Sequence, residues 1–392
     1  MPADVAPDGP VTAVIEEAPT GRPGPDRGRR RPAELLRPAV IYLISRAVTW
    51  ATLMVCAAAT HRSLAREVDR WDSRWFLRAV VGGWPSRLPE VHGHVAASTI
   101  AFFPAYPLAV RGLADVTGLS PLGAGLMVTT VTGFGAIAGV WLLVRHYLDR
   151  AAADRATLLV AVFPGAFVLS LAYSDGLTVA CVALGLLALL TRRWMVAGLL
   201  GLVATATIPI ALAFEVSCLW CAYRAVTGRR DWRALAAPIL TPMGALAYQL
   251  WLWQHTGNFW AWELTERGGW KSFASIGYAA DTVTRVLRDP VANTKTGYLL
   301  FAGVVVAVLG AVVAIRQRMP APILVYGISA AVLAAVSEPV GLRPRLLFVA
   351  FPLVMAIGIW LRGRVYAGVV SISIALLIAL TAYEVCSYAV FP

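Results

Sequence analysis

Residues 297–315 read GYLLFAGVVVAVLGAVVAI, a stretch of apolar and small residues with no charge, closed by Arg316 and Arg318. A helix rises 1.5 Å per residue, so about 20 such residues match the ~30 Å hydrocarbon core of a bilayer. Similar runs recur at about 38–60, 121–145, 157–172, 176–191, 195–207, 209–224, 235–254, 321–337, 346–361 and 365–391. None alternates apolar with polar residues, which excludes a membrane barrel. The expected fold class is therefore all-α, a polytopic membrane protein with about 11 transmembrane helices.

Composition agrees. The chain has 392 residues, 58% hydrophobic and only 14% charged, where a soluble domain carries about a quarter charged. The net charge of +12 does not point to nucleic acid, because the arginines sit at the ends of apolar runs rather than in a basic stripe on a soluble fold. All five cysteines lie inside apolar runs. Cys218 and Cys221 have CxxC spacing but no second ligand pair, so buried thiols are expected rather than zinc or a disulfide framework. No metal and no cofactor is expected.

Residues 1–32 are rich in Pro, Gly, Ala and charge, and end in Arg27, Arg29, Arg30 and Arg31. They read as a disordered cytoplasmic tail ahead of a single polytopic domain, 33–392. Short basic connections fall at Arg145/Arg150/Arg155, Arg192/Arg193, Arg224–Arg233, Arg316/Arg318 and Arg362/Arg364. Placing all of them in the cytoplasm requires eleven crossings. Two longer connections, about 61–100 and 255–296, then lie outside with the C-terminus. The same parity makes 101–117 a re-entrant or surface helix broken by Pro104 and Pro107, a full span being the alternative.

In the first outer loop, Leu64, Val68, Trp71 and Trp75 recur at helical spacing. Arg62, Arg66, Arg70, Arg74 and Arg78 recur every four residues on the opposite arc. The pattern predicts an interfacial amphipathic helix, tryptophans to the bilayer and arginines to headgroups or anions. Asp72 flanks the apolar stripe, where partial desolvation would make it a better general base; a solvated or Arg-paired surface role is the alternative. Glu67 and Asp69 point nearer the arginines.

Other polar residues carry two readings each. Arg46 is intramembrane, and either functional or snorkelling to the inner headgroups. Glu215 and Glu384 are intramembrane carboxylates, Glu215 being either a partner for Arg46 or neutral within the bundle. His92 and His94 form an HxH pair that lacks further ligands. Trp260, Trp262, Glu263, Glu266 and Trp270 form either an acceptor platform or an interfacial aromatic belt.

Six segments carry a family resemblance. Trp71-Asp72-Ser73-Arg74-Trp75-Phe76 is followed by Ala101-Phe102-Phe103-Pro104-Ala105-Tyr106-Pro107-Leu108 and Arg111. Next come Ala172-Tyr173-Ser174-Asp175-Gly176 and Thr207-Ile208-Pro209, then Leu342-Arg343-Pro344-Arg345-Leu346-Leu347 with Phe351-Pro352-Leu353. Over about 38–361 this ordered set resembles the PIG-V family of GT-C mannosyltransferases. The resemblance implies a GT-C fold and a polyprenyl-phosphate sugar donor, most simply of mannose. It implies a lipid, glycan or protein acceptor, and an inverting reaction on the non-cytoplasmic face of the cell membrane.

The resemblance also assigns roles. It maps Asp72 onto the catalytic base, and Arg345, with Arg343, onto a basic pair for the donor phosphate. Trp71, Trp75, Pro104, Tyr106, Tyr173 and Asp175 belong to the matching motifs. Two departures stand out: Asp175 replaces a family Glu, and Ile208 replaces a family Arg. Either Arg111, Arg343 or Arg345 compensates, or the donor differs, or activity is lost. Two other readings stay open, an inactive lipid-linked-sugar-binding homologue and a lipid or solute transporter; the absence of a clear internal repeat weighs against the transporter.

Overall fold

The computed structural model describes residues 34–291 and 293–386, so the expected tail lies outside the described residues. The chain runs α1 (Leu36–Ala59), α2 (Leu64–Val68), α3 (Asp72–Gly82), a small hairpin of β1 (Glu90–Val91) and β2 (His94–Val95), α4 (Ala105–Thr117), α5 (Pro121–Tyr147) and α6 (Arg150–Ala161). It continues with α7 (Asp175–Leu190), α8 (Trp194–Thr205), α9 (Ala213–Arg229), α10 (Ala236–Leu240), α11 (Met243–Thr256) and α12 (Ala261–Thr265). Then follow β3 (Phe273–Ala274), α13 (Tyr278–Arg288), α14 (Lys295–Arg316), α15 (Ala321–Ala335), β4 (Ser337–Glu338), α16 (Pro344–Val349), α17 (Phe351–Trp360) and α18 (Gly363–Cys386).

Helix starts obey local chemistry. Ser120 accepts from the Gly123 amide ahead of Pro121 at the first position of α5. Asp149 and Thr294 accept from the Ala152 and Gly297 amides at α6 and α14. Each cap satisfies an amide that the helix leaves without a partner. The core gathers around α5, which packs against α7, α6 and α1 and buries Trp141 completely.

The molecule is a multi-pass, all-α membrane protein. All eleven expected spans fall on apolar helical segments, but only some reach crossing length. Leu36–Ala59, Pro121–Tyr147, Pro209–Arg229, Lys295–Arg316 and Gly363–Glu384 are long enough alone. Arg150–Ala161 with Pro164–Ser170, bent by 77°, and Trp232–Leu240 with Met243–Thr256, bent by 41°, reach it only as pairs. Among the described residues that makes five to seven helices of crossing length rather than eleven. α7, α8, α15 and α17 are shorter, 10 to 16 residues. Irregular backbone at such helix ends is tolerated where it lines a cavity within the protein instead of facing lipid, and α7, α8 and α15 each have one end at the cavity described below.

The expected amphipathic helix over 62–78 is corrected by the structure. It breaks between α2 and α3, with Trp71 at φ 51°. The break swings Arg70 off the predicted basic arc facing headgroups or anions, leaving it 1% exposed and paired at 2.8 Å with the equally buried Glu67. A side chain's face follows from helical period only while the helix is continuous. The segment 101–117 supplies α4, 13 residues starting after Pro104 and too short to span.

Candidate active site

Two carboxylates sit at two helix N-termini. Asp72 is the first residue of α3 and Asp175 the first of α7, where the helix dipole favours negative charge. Trp71 aims Asp72: its backbone adopts a left-handed φ that is costly for a bulky residue, and its indole Nε1 donates to the Glu384 carbonyl at 3.0 Å. Such strain persists only where surrounding contacts impose it. Arg345 lies in the first turn of α16. The 3-10 turn Pro164–Ser170 lies directly against that turn, since a Cβ on Gly165 would fall 2.0 Å from the Pro344 carbonyl oxygen. Glycine at 165 permits the approach that seats Arg345 beside Asp175.

Arg345 bridges the two carboxylates. Its Nε donates to Asp175 at 3.1 and 3.3 Å, and its Nη1 donates to Asp72 Oδ2. Asp175 is wholly buried, whereas Asp72 is 16% exposed and faces open space. The guanidinium lies 4.6 Å from the centre of the Tyr173 ring. Burial acts to lower the Arg345 pKa, but Asp175 and Asp72 outweigh it and hold the guanidinium above its ordinary value. Burial also pushes the Tyr173 phenol well above its ordinary value, so it stays protonated. Among the described residues, Arg345 Nη2 and Asp72 Oδ1 make no hydrogen bond.

These groups open on a cavity of about 660 Å³. Its polar end carries Asp72, Arg343, Arg345 and Glu266; one wall is aliphatic, with Ile210, Leu212, Leu333, Val336, Val340 and Leu346. Arg343, at the N-cap of α16, donates to the Pro339 carbonyl. Burial lowers its pKa, opposed by Tyr278 and Glu384.

The two long connections, about 61–100 and 255–296, meet at this cavity. β3 pairs antiparallel with β4, Phe273 opposite Glu338. The π-helical turn Glu266–Trp270 packs on the first-loop hairpin so closely that a Cβ on Gly269 would lie 2.4 Å from the Ala97 amide nitrogen. Single π turns recur at functional sites because they re-aim side chains. Here the turn presents Glu266, Arg267 and Trp270 to the cavity. Burial, reinforced by Asp72 and opposed by a Ser272 hydrogen bond, raises the Glu266 carboxyl to about 8.

The structure brings Asp72, Asp175, Tyr173, Arg343 and Arg345 together and sets other candidates aside. Arg111 does not reach the cavity: its Nε and Nη2 donate to the Val80 and Ala79 carbonyls at 2.7 and 3.0 Å, closing the end of α3. Tyr106 is buried, its hydroxyl hydrogen-bonded to Gly125 and Thr129, and Pro104 caps α4. Trp75 packs edge-on against Trp270 at 5.0 Å, behind the cavity wall. Arg46 neither snorkels nor meets Glu215; it donates to the Ala166 and Ala161 carbonyls and Ser170 Oγ, satisfying the bend after α6.

Ile208 lines the cavity with Thr207, Trp262 and Trp270, while Trp260 does not. No group of three metal-ligating side chains exists among the described residues, His92 and His94 included. Arg267, paired to Glu263 at 2.9 Å, and Ser272 are cavity residues the sequence reading missed. The i, i+4 spacing of Glu263 and Arg267 was a visible signal for the pair.

No family model matches the chain, and no curated protein matches it. Among solved structures, ArnT from Cupriavidus metallidurans in the apo state superposes with a TM-score of 0.50 at 15% identity, over 83% of this chain and 61% of that one. ArnT bound to undecaprenyl phosphate gives 0.48 at 15% identity, over 84% and 59%. The Archaeoglobus fulgidus oligosaccharyltransferase in its apo form gives 0.44 at 13% identity, over 86% and 56%. The chain thus spans about three fifths of the length of ArnT. Its fold is similar to that of the GT-C glycosyltransferases.

Proposed function

We propose that this protein is a membrane glycosyltransferase that moves a sugar, most simply mannose, from a polyprenyl-phosphate donor to a lipid, glycan or protein acceptor on the non-cytoplasmic face. The observation that carries the reading is the Arg345 bridge, with Nη2 unengaged beside the cavity-facing Asp72. The aliphatic wall suits a prenyl chain, and Arg345 with Arg343 suits the phosphate. The ordered motif resemblance and the GT-C-like fold support the same class.

In this mechanism Asp72 takes the proton of the acceptor hydroxyl as that oxygen attacks the anomeric carbon from the face opposite the phosphate. The bond from the anomeric carbon to the phosphate oxygen breaks, and its electron pair leaves on polyprenyl phosphate, which gains one negative charge. Arg345 and Arg343 hold that charge in a partly desolvated site, where preorganised donors act most strongly. Asp175, fully buried behind Arg345, orients the guanidinium and is a positioning residue. The site residues come from helix ends opposite the short basic connections, which supports an active site on the outer face.

The test is a donor screen with purified protein, scored for released polyprenyl phosphate. Release from a mannosyl donor in the presence of acceptor supports the reading. Binding without release from any donor favours the inactive homologue, to which the uncharged Ile208 in the cavity wall points.

A further inference from the structure

The sequence leaves Trp262, Glu266 and Trp270 open between an acceptor platform and an interfacial belt. The structure places them in the same cavity as Arg345 and Asp72. A sugar joined to a phosphate held by Arg345 must lie in this cavity, and Glu266 is near enough to Asp72, the partner of Arg345, to feel its charge. They are also rigidly set. Gly268 and Gly269 lock the π turn against Val95, Ala96 and Ala97. The Trp262 ring packs edge-on against Phe103 at 6.0 Å, and Trp270 against Phe102 at 5.5 Å. Trp262 Nε1 is a buried donor with no partner among the described residues.

We propose that Trp262, Glu266 and Trp270 form the subsite for the donor's sugar ring, and that it takes a neutral hexose. This rests on the glycosyltransferase reading and goes beyond it by assigning the wall to the donor sugar rather than to the acceptor. Aromatic rings offer apolar faces to the C–H side of a pyranose, and their fixed geometry lowers the ordering loss on binding. Glu266 supplies the polar contact. With its carboxyl raised to about 8, it both donates and accepts near neutral pH, which matches adjacent ring hydroxyls. Charge decides the sugar class. Arg345 offsets Asp72, and Arg267 offsets Glu263. Arg343 is assigned with Arg345 to the donor phosphate, so with Glu266 protonated the remainder of the lining carries no net charge for an ionic sugar to answer.

The experiment compares undecaprenyl phosphate with mannosyl undecaprenyl phosphate for binding to the full chain in detergent, followed by tryptophan fluorescence. Wild type should bind the mannosyl lipid more tightly than the bare lipid. Glu266→Leu and Trp262→Ala should each reduce that preference by about tenfold, the worth of one or two hydrogen bonds, with binding of the bare lipid unchanged. Glu266→Gln keeps a donor and an acceptor, and should stay within about threefold of wild type. Unchanged binding of the bare lipid shows that the variants fold. Equal affinity of wild type for both lipids overturns the subsite while the phosphate site stands. Equal loss for both lipids in Glu266→Leu does the same. Tighter binding of an amino-sugar lipid than of the mannosyl lipid overturns the neutral-hexose assignment, and binding of neither lipid by wild type overturns both readings.

Discussion

Arg345 and Asp175, 170 residues apart in the chain, meet with Nε 3.1 Å from one carboxylate oxygen and 3.3 Å from the other. Asp175 is wholly buried, so its charge is tolerable only with this partner. The same guanidinium holds Asp72 on its other side. One arginine therefore joins the N-termini of α3 and α7 and sets where a substrate phosphate can approach.

Removing the base should leave that frame standing. Asp72→Asn keeps the shape and loses the proton acceptor, which typically lowers rate by about 10²–10⁴-fold. Binding of undecaprenyl phosphate should persist, measured on the same preparation. Near-full turnover in a folded Asp72→Asn protein excludes Asp72 as base.

Arg345→Lys retains charge but cannot hold Asp72 and Asp175 while keeping a further donor for phosphate. Affinity for undecaprenyl phosphate should fall by about 10–100-fold, in the range of lost hydrogen bonds to charged groups. Arg345→Ala should also lower thermal stability, since breaking a buried pair costs about 3–5 kcal/mol. Undiminished lipid affinity in Arg345→Lys removes this residue from the phosphate site.

Glu67 and Asp69 look equivalent in sequence and should not behave alike. Glu67 is buried with Arg70, while Asp69 and Arg74 meet at 4.0 Å near the surface. Glu67→Gln should lower the melting temperature markedly, with about 3–5 kcal/mol at stake. Asp69→Asn should change stability and rate little. Equal melting temperatures would contradict the buried pair.

Glu266 gives a pH signature with a definite sign. Its folded pKa of about 8 exceeds the unfolded value of about 4.3. The stability it contributes is therefore fully present below about pH 4.3 and declines as pH rises toward 8. Thermal unfolding of wild type should show a fall over that window that Glu266→Gln lacks. Parallel curves would mean that Glu266 stays ionised in the folded protein.

Sidedness can be read by labelling in a background without the native cysteines. Cysteines at the exposed positions Ser86 and Val291, one in each outer connection, should react with an impermeant thiol reagent in intact cells. A cysteine at the exposed Ala151, in the first turn of α6 beside the basic connection, should not. Labelling of position 151 would reverse the proposed orientation.

Long uncharged runs such as 297–315 determine membrane class and helical fold by themselves, because a backbone in hydrocarbon must satisfy its own hydrogen bonds. The arginines between runs carry the expected orientation, and the motif order singled out Asp72, Asp175 and Arg345. Partnership was not legible. Helical period placed Arg70 on an arc facing headgroups or anions, but the break at Trp71 buried it against Glu67. Arg111 looked like a phosphate ligand and instead closes the end of α3. Sequence left open whether Arg46 pairs with Glu215, and Arg46 instead binds the carbonyls of a bent helix. A guanidinium can answer a carboxylate, a phosphate or a carbonyl equally well, and local sequence states only that it needs an acceptor. Tertiary packing decides which one comes within 3 Å, and it alone set Glu266 in the same cavity as Asp72.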